Sequence, residues 1–140
     1  MHSKTYLTVR YAETDRMGIV HHSIYPVWYE AGRTDYIKMF GITVSEMEEA
    51  GVMMPLINMT CSYKYPARFE DKIIVRTWVI GLRAAQIEFT YSVKKINDDG
   101  SETELGYGTT EHGIVDSKTF KPCNLRKRMP ELYEKLKATL

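Results

Sequence analysis

The sequence predicts an α+β fold in which one long helix covers one face of an antiparallel sheet. Three observations predict it. A stripe of aromatic residues at helical spacing runs from Tyr25 to Phe40, the apolar period then changes to two over several long segments, and turn residues separate those segments.

Lys4–Arg10 reads as a short first strand, with Tyr6, Thr8 and Arg10 alternating against Thr5, Leu7 and Val9. Tyr11–His22 breaks every periodicity: it is polar, contains Gly18 and ends at Ser23, whose side-chain oxygen is suited to cap a helix. Pro26 falls in the first turn, where its missing N–H costs little. From there Tyr25, Trp28, Tyr29, Gly32, Tyr36, Met39 and Phe40 form one apolar stripe, widened by Ile24, Val27 and Ala31. A helix apolar over so much of its circumference is expected to be buried, and Gly32 within the stripe predicts close approach to another backbone.

Thr43-Val44-Ser45-Glu46 is a capping-box pattern that starts a second, shorter helix, and Gly51 is placed to end it in a left-handed conformation. Ile57–Tyr65 then alternates as a half-buried strand stopped by Pro66. Lys72–Leu82, apolar on both faces, reads as a central strand, and Gln86–Ile96 alternates again with Ile87, Phe89, Tyr91 and Val93 on one side. Asp98-Asp99-Gly100 turns the chain into a strand over Glu104–Asp116, and Met129–Leu140 reads as a terminal amphipathic helix. A sheet this long against one helix leaves faces or edges to hide, so an oligomer is expected.

With 140 residues and no repeat or linker, the chain is read as one domain, 1–140, large enough to bury a core without disulfide staples. The formal net charge of +1 gives no global basic field, so nucleic acid is not an expected partner and any anionic ligand needs a local cluster. Cys61 and Cys123 are far apart and have no metal or redox spacing, which favours a reducing compartment. Met1-His2-Ser3-Lys4 has no apolar run behind it, and no window approaches the length of about 20 apolar residues that a spanning helix needs. A cytoplasmic protein without membrane insertion is the expectation.

The segment richest in chemistry joins the first strand to the long helix. The start of a buried helix presents unpaired N–H groups and the positive end of the helix dipole, a natural place for developing negative charge. Asp15, His22 and Tyr11 bring a carboxylate, an imidazole and a phenol to that junction. Such a set can activate water, orient a carbonyl and stabilise an oxyanion. Each residue also has a plainer reading: Asp15 as a turn former, His22 as a capping or packing residue, Tyr11 as a buried strand end. The His21-His22 pair has no third ligand at chelating spacing, and neighbouring side chains point apart, so no metal is expected.

Tyr11, Asp15, Gly18, Val20, His22, Tyr25, Glu30 and Arg33 resemble, in type and spacing, the signature of hot-dog acyl-CoA thioesterases of the 4-hydroxybenzoyl-CoA thioesterase family, especially the bacterial branch associated with the Tol–Pal system. Tyr63-Lys64-Tyr65-Pro66-Ala67, with the later acidic Glu70-Asp71, resembles a second segment of that family, and Arg83-Ala84 and Phe89-x-Tyr91 recur where its next strand lies. The resemblance implies a hot-dog fold, a long central helix wrapped by a curved antiparallel β-sheet, in a homodimer or homotetramer. It implies an active site at the dimer interface, where the loop carboxylate of one subunit faces the helix start of the other. Asp15 then acts as general base or as nucleophile, the amide of His22 and its neighbours binds the thioester oxygen, and the His22 and Tyr11 side chains position the reacting groups. The substrate is an acyl-CoA or an acyl-carrier-protein thioester, and no cofactor is needed, because a thioester carbonyl is already activated and a thiolate leaves readily. CoA phosphates call for rim cations, for which Lys64, Arg68, Arg83 and the Arg126-Lys127-Arg128 run are candidates, each also readable as a solvated surface charge. The acyl tail is expected along the helix, near Trp28, Tyr29 or Met54. Two other readings remain open on the sequence: a non-catalytic acyl-CoA-binding hot-dog module, and a hot-dog dehydratase or hydratase, whose motifs are not found here.

Overall fold

The aromatic stripe folds as expected in a computed structural model that describes residues 1–140. Helix α1 spans Tyr25–Lys38, with Pro26 in its first turn, and buries Tyr25, Trp28, Tyr29, Gly32, Tyr36 and Ile37. Val27 and Met39 are exposed, because the sheet covers only one side of the helix. The helix is not capped by Ser23. A 3-10 turn, His22–Ile24, precedes α1, and the His21 ring caps that turn, its Nδ1 accepting the Ser23 N–H at 3.1 Å. Ser23 lies inside the turn, with its hydroxyl 2.7 Å from the same nitrogen.

Five antiparallel strands lie in the order β1-β4-β5-β6-β3: β1 Ser3–Thr8, β3 Leu56–Tyr63, β4 Lys72–Arg83, β5 Gln86–Ile96 and β6 Glu102–Gly113. The capping box forms at α2, Val44–Glu49, where the Thr43 hydroxyl accepts the Glu46 N–H at 3.1 Å. Gly51 follows with φ +90°. Two expectations need correction. β3 is an edge strand paired only with β6 and is mostly exposed rather than half-buried. The last long strand stops at Gly113, because the Ile114 N–H turns away to Ala85 O; Val115–Asp116 becomes β7 and pairs with β2, Val52–Met53. The expected terminal helix forms as α4, Pro130–Lys137, and one further short helix, α3, Leu125–Arg128, precedes it, separated at Pro130, which has no N–H to continue the ladder. No helix is long and apolar enough to cross a membrane.

Small residues let α1 sit close on the sheet. A Cβ on Gly32 would overlap the Thr77 hydroxyl of β4 and come within 3.2 Å of Val75 Cγ1. On β6, a Cβ on Gly108 would overlap the Tyr29 hydroxyl and the Thr60 carbonyl. Tyr29 therefore lies flat on Tyr91 of β5, with ring centroids 4.3 Å apart and planes 7° apart.

Gly32→Ala will lower stability by about 1–3 kcal/mol in urea unfolding despite alanine's better helix propensity, because the added methyl overpacks a short, buried side chain. Thr77→Ala removes the opposing hydroxyl, which has no hydrogen-bond partner, and in the double variant should return most of the loss. Simple additivity of the two substitutions would contradict this packing account.

Candidate active site

The loop between β1 and α1 is held by a carboxylate that the sequence reading did not single out. Glu13 is buried, with 5% of its surface exposed. Its Oε2 accepts the Trp28 indole N–H at 3.1 Å, its Oε1 accepts the Arg10 N–H at 2.8 Å, and its carbonyl accepts the His21 N–H at 2.9 Å. One residue thus ties the strand end, the far end of the loop and the helix together. Its sequence signal was faint, since the partner Trp28 lies fifteen positions away.

Inside that clamp the chain makes a tight hairpin. Asp15 Oδ1 accepts the Met17 N–H at 2.8 Å, the Asp15 N–H donates to Ile19 O at 2.8 Å, and Gly18 takes φ +79°. Asp15 is therefore a turn former, as the plain reading had it, while its Oδ2 accepts no hydrogen bond. Val20 N–H donates to Ala67 O at 2.8 Å, which zips the hairpin to the segment after β3.

The two segments enclose a cavity of about 390 Å³, lined by Asp15, His22, Tyr25, Tyr63, Lys64 and Pro66 among others. The His22 N–H donates to no group in the chain, whereas those of His21, Ser23 and Ile24 are all engaged. It lies at the entry to a fourteen-residue helix, where the dipole favours negative charge. The Tyr63 hydroxyl donates to His22 O at 2.8 Å and steadies that peptide. Burial pushes the Tyr25 phenol up to about 12, with Cys61 adding to the shift, and burial likewise raises Tyr63, so both remain hydrogen-bond donors at neutral pH. Asp15 with an unbonded carboxylate oxygen, His22 with an unfilled N–H, and Lys64 thus line one space in a single subunit.

The other sequence candidates divide. Tyr11 is not brought to the cavity: its ring is 77% exposed and packs on Phe69 at 5.6 Å. Lys64 lines the cavity and also reaches over the Tyr107 ring at 5.4 Å. Arg68 is exposed on the same segment and makes no ion pair, while Arg83 lines different cavities with Gln86. Within the basic run, Arg126 meets Glu134 at 3.9 Å and Arg128 meets Asp116 at 3.0 Å. Tyr63 was quoted only as part of the motif, and His21, considered only as a metal ligand, proves to be the cap. No cluster of three or more His, Cys, Asp or Glu side chains is arranged to hold a metal ion.

Residues 9–138 match the Thioesterase-like superfamily. The chain belongs to this family. A protein of Bacillus subtilis (strain 168), YneP, provisionally named an acyl-CoA thioesterase, is 40% identical over 138 residues, covering 96% of this chain and 97% of its own. Acyl-CoA thioester hydrolase YbgC of Escherichia coli O157:H7 is 28% identical, covering 85% and 86% respectively. Among solved structures, DHNA-CoA thioesterase from Staphylococcus aureus superposes with a TM-score of 0.88 at 32% identity, covering 98% of this chain and 91% of that one. The architecture is the hot-dog fold.

Further along α1, this thioesterase-like chain has a second cavity of about 380 Å³, bordered by Glu30, Arg33, Met47 and Met54. Its wall rests on a buried polar chain. The Met54 carbonyl fixes the His112 tautomer: Nδ1 donates to it at 3.0 Å, so Nε2 accepts from the Thr110 hydroxyl at 2.9 Å. Thr110 in turn accepts from the Tyr91 phenol. Burial lowers the His112 pKa to about 4, and the nearby Arg33 charge acts in the same direction.

His112 takes up a proton near 6.5 in the unfolded chain but only near 4 in the folded one. Between those values the unfolded state binds more protons, so acidification removes stability, by up to about 3 kcal/mol by pH 4. Thermal unfolding from pH 7 to pH 4 should show this loss, and His112→Gln should lose that component of it. An unaltered acid profile in the variant would contradict the assignment.

Proposed function

We propose that this chain hydrolyses acyl-CoA thioesters to a carboxylic acid and CoA, with acyl-carrier-protein thioesters as the related substrate class. The observation that carries the reading is the shared cavity: Asp15, with one carboxylate oxygen unbonded, and His22, with its N–H unbonded, line one space. Family membership and the names of the relatives support the same reaction class. We further assign the chain to the Tol–Pal-associated branch, on the resemblance of its Tyr11–Arg33 motif alone.

In this reaction Asp15 takes a proton from water, or attacks the thioester carbon itself. Either way a C–O bond forms, negative charge moves onto the carbonyl oxygen, and collapse of the tetrahedral species breaks the C–S bond. The thiolate leaves and takes up the proton. Where Asp15 is the nucleophile, the acyl group is left on it as a mixed anhydride, which a water molecule then hydrolyses to release the carboxylic acid and restore the carboxylate. The His22 N–H, at the positive end of α1, receives the oxyanion. Lys64, which lines the cavity, and Arg68, exposed just beyond Ala67, are assigned to the CoA phosphates, and the acyl group to the α1 cavity by Met54.

The working unit is proposed to be a homodimer, itself the building block of a homotetramer. The open edge of β3 carries unpaired peptide groups next to Tyr63 and Lys64, and a second copy is their natural partner. Pairing there would bring the cavity of one copy beside α1 of the other.

Asp15→Asn keeps an acceptor for the Met17 N–H, so its melting temperature should match the parent while kcat on acyl-CoA falls by about 10²–10⁴. Undiminished turnover would refute the role. The oxyanion donor is tested by comparing His22→Pro with His22→Ala. His21 already has φ −64° and ψ 141°, backbone angles that a following proline accepts. Proline should therefore cost about 10²–10³ more in kcat than alanine, and equal losses would remove the amide from the mechanism. Sedimentation equilibrium should give a dimer or tetramer; a monomer at micromolar concentration would end the interface proposal.

A further inference from the structure

The α1 cavity is lined in part by a residue held in an unfavourable conformation. Phe120 has φ +60°, and Glu70 is the only other non-glycine residue on the positive side. A bulky side chain rarely adopts this conformation, and burial of the ring does not compensate, because Phe120 is 60% exposed. The turn that imposes it is over-determined. Asp116 Oδ1 accepts the Lys118 and Thr119 N–H groups at 2.8 and 2.9 Å, and Oδ2 takes Arg128 at 3.0 Å. The Phe120 N–H returns to Asp116 O at 2.8 Å.

The ring so held stands between two cavities. One is the 380 Å³ space by α1, whose apolar lining includes Met47, Met53 and Met54. The other, about 420 Å³, lies at the end of the sheet against Ile57, Ala85 and Ile114 and is lined mainly by apolar surface. Pro55 and Phe120 belong to both linings. Methionines adapt to unbranched chains of varied shape, and a volume of this size suits a small ligand, not an unlimited chain.

We propose that Phe120 is a chain-length stop: it ends the acyl-binding cavity, and the space beyond it accepts additional methylenes only when the ring is absent. The proposal rests on the acyl-CoA reading of the α1 cavity, and nothing in the turn itself contributes to hydrolysis. Glycine at this position would relax the backbone and remove the barrier together.

The test uses S-alkyl-CoA thioethers, from butyl to hexadecyl, which lack the carbonyl that hydrolysis requires. Their affinities are measured by calorimetry for the parent, Phe120→Gly and Phe120→Trp, beside thermal melts and an acyl-CoA hydrolysis assay. In the parent, affinity should rise about fourfold per methylene up to a limiting length and then level off. Phe120→Gly should move that limit to longer chains with an unchanged or higher melting temperature, and Phe120→Trp should move it to shorter ones. Coincident limits in the three proteins, or no dependence on chain length in the parent, would overturn the proposal. A lower melting temperature in Phe120→Gly with an unmoved limit would do the same, since it would mark a structural role. A shifted limit without any thioester hydrolysis leaves the stop standing and removes the hydrolase reading. Hydrolysis with coincident limits does the reverse.

Discussion

The seating of α1 on the sheet is the constraint from which the rest of the molecule follows. Gly32 against Thr77 and Gly108 beneath Tyr29 bring helix and strands so close that no methyl group fits at either contact. That closeness lays Tyr29 flat on Tyr91 and aims the Trp28 indole at Glu13. The candidate cavity opens beside the start of this helix, and the second cavity opens beside its middle turns. A helix lifted to admit one methyl group would disturb both.

The local chemistry at the start of α1 is arranged around donors. His21 engages the Ser23 N–H with its ring, Glu13 engages the His21 N–H with its carbonyl, and Tyr63 secures the His22 carbonyl. Each neighbouring polar group is satisfied, and the His22 N–H is left over. In a folded chain an unfilled donor at a helix start is satisfied by water or by ligand, and here it borders a cavity that also holds a carboxylate. Burial is the leading cause that raises the Tyr29, Tyr25 and Tyr63 phenols and lowers His112, and of these only Tyr25 and Tyr63 line that cavity. In this molecule hydrogen-bond bookkeeping points to the site more directly than titration does.

Much of this was legible in the sequence, because the signals were local or periodic. The helical stripe, the Thr43–Glu46 capping box, the turn at Gly51 and the strand Gln86–Ile96 each depend on residues within a few positions, and each forms. Motif resemblance singled out both the Asp15 loop and the Tyr63–Ala67 segment but not their pairing, since residues so distant in sequence share no periodicity. What was missed depends on tertiary contact. Glu13 finds Trp28 only after the helix docks, His21 takes the capping role from Ser23 because its ring folds back on the turn, and Tyr11 goes to Phe69. The exposure of β3 was misjudged for a related reason. Its alternation is that of a strand with a covered face, but in one subunit nothing lies along its outer edge.

The exposed edge and the strained turn follow one logic. Neither is explained by the stability of the single chain. An open β3 edge invites unwanted pairing, and a phenylalanine in the left-handed region is conformationally costly. Elsewhere glycine predominates at such positions: Gly18, Gly41, Gly51 and Gly100 hold four of the other five with positive φ, and Glu70 holds the fifth. A sequence that places glycine at four such turns and phenylalanine at another is using that ring for its shape. The ring lines two cavities, one mainly apolar and one in which Met47, Met53 and Met54 stand with Glu30, Arg33 and Glu48, so its effect falls on whatever fills them.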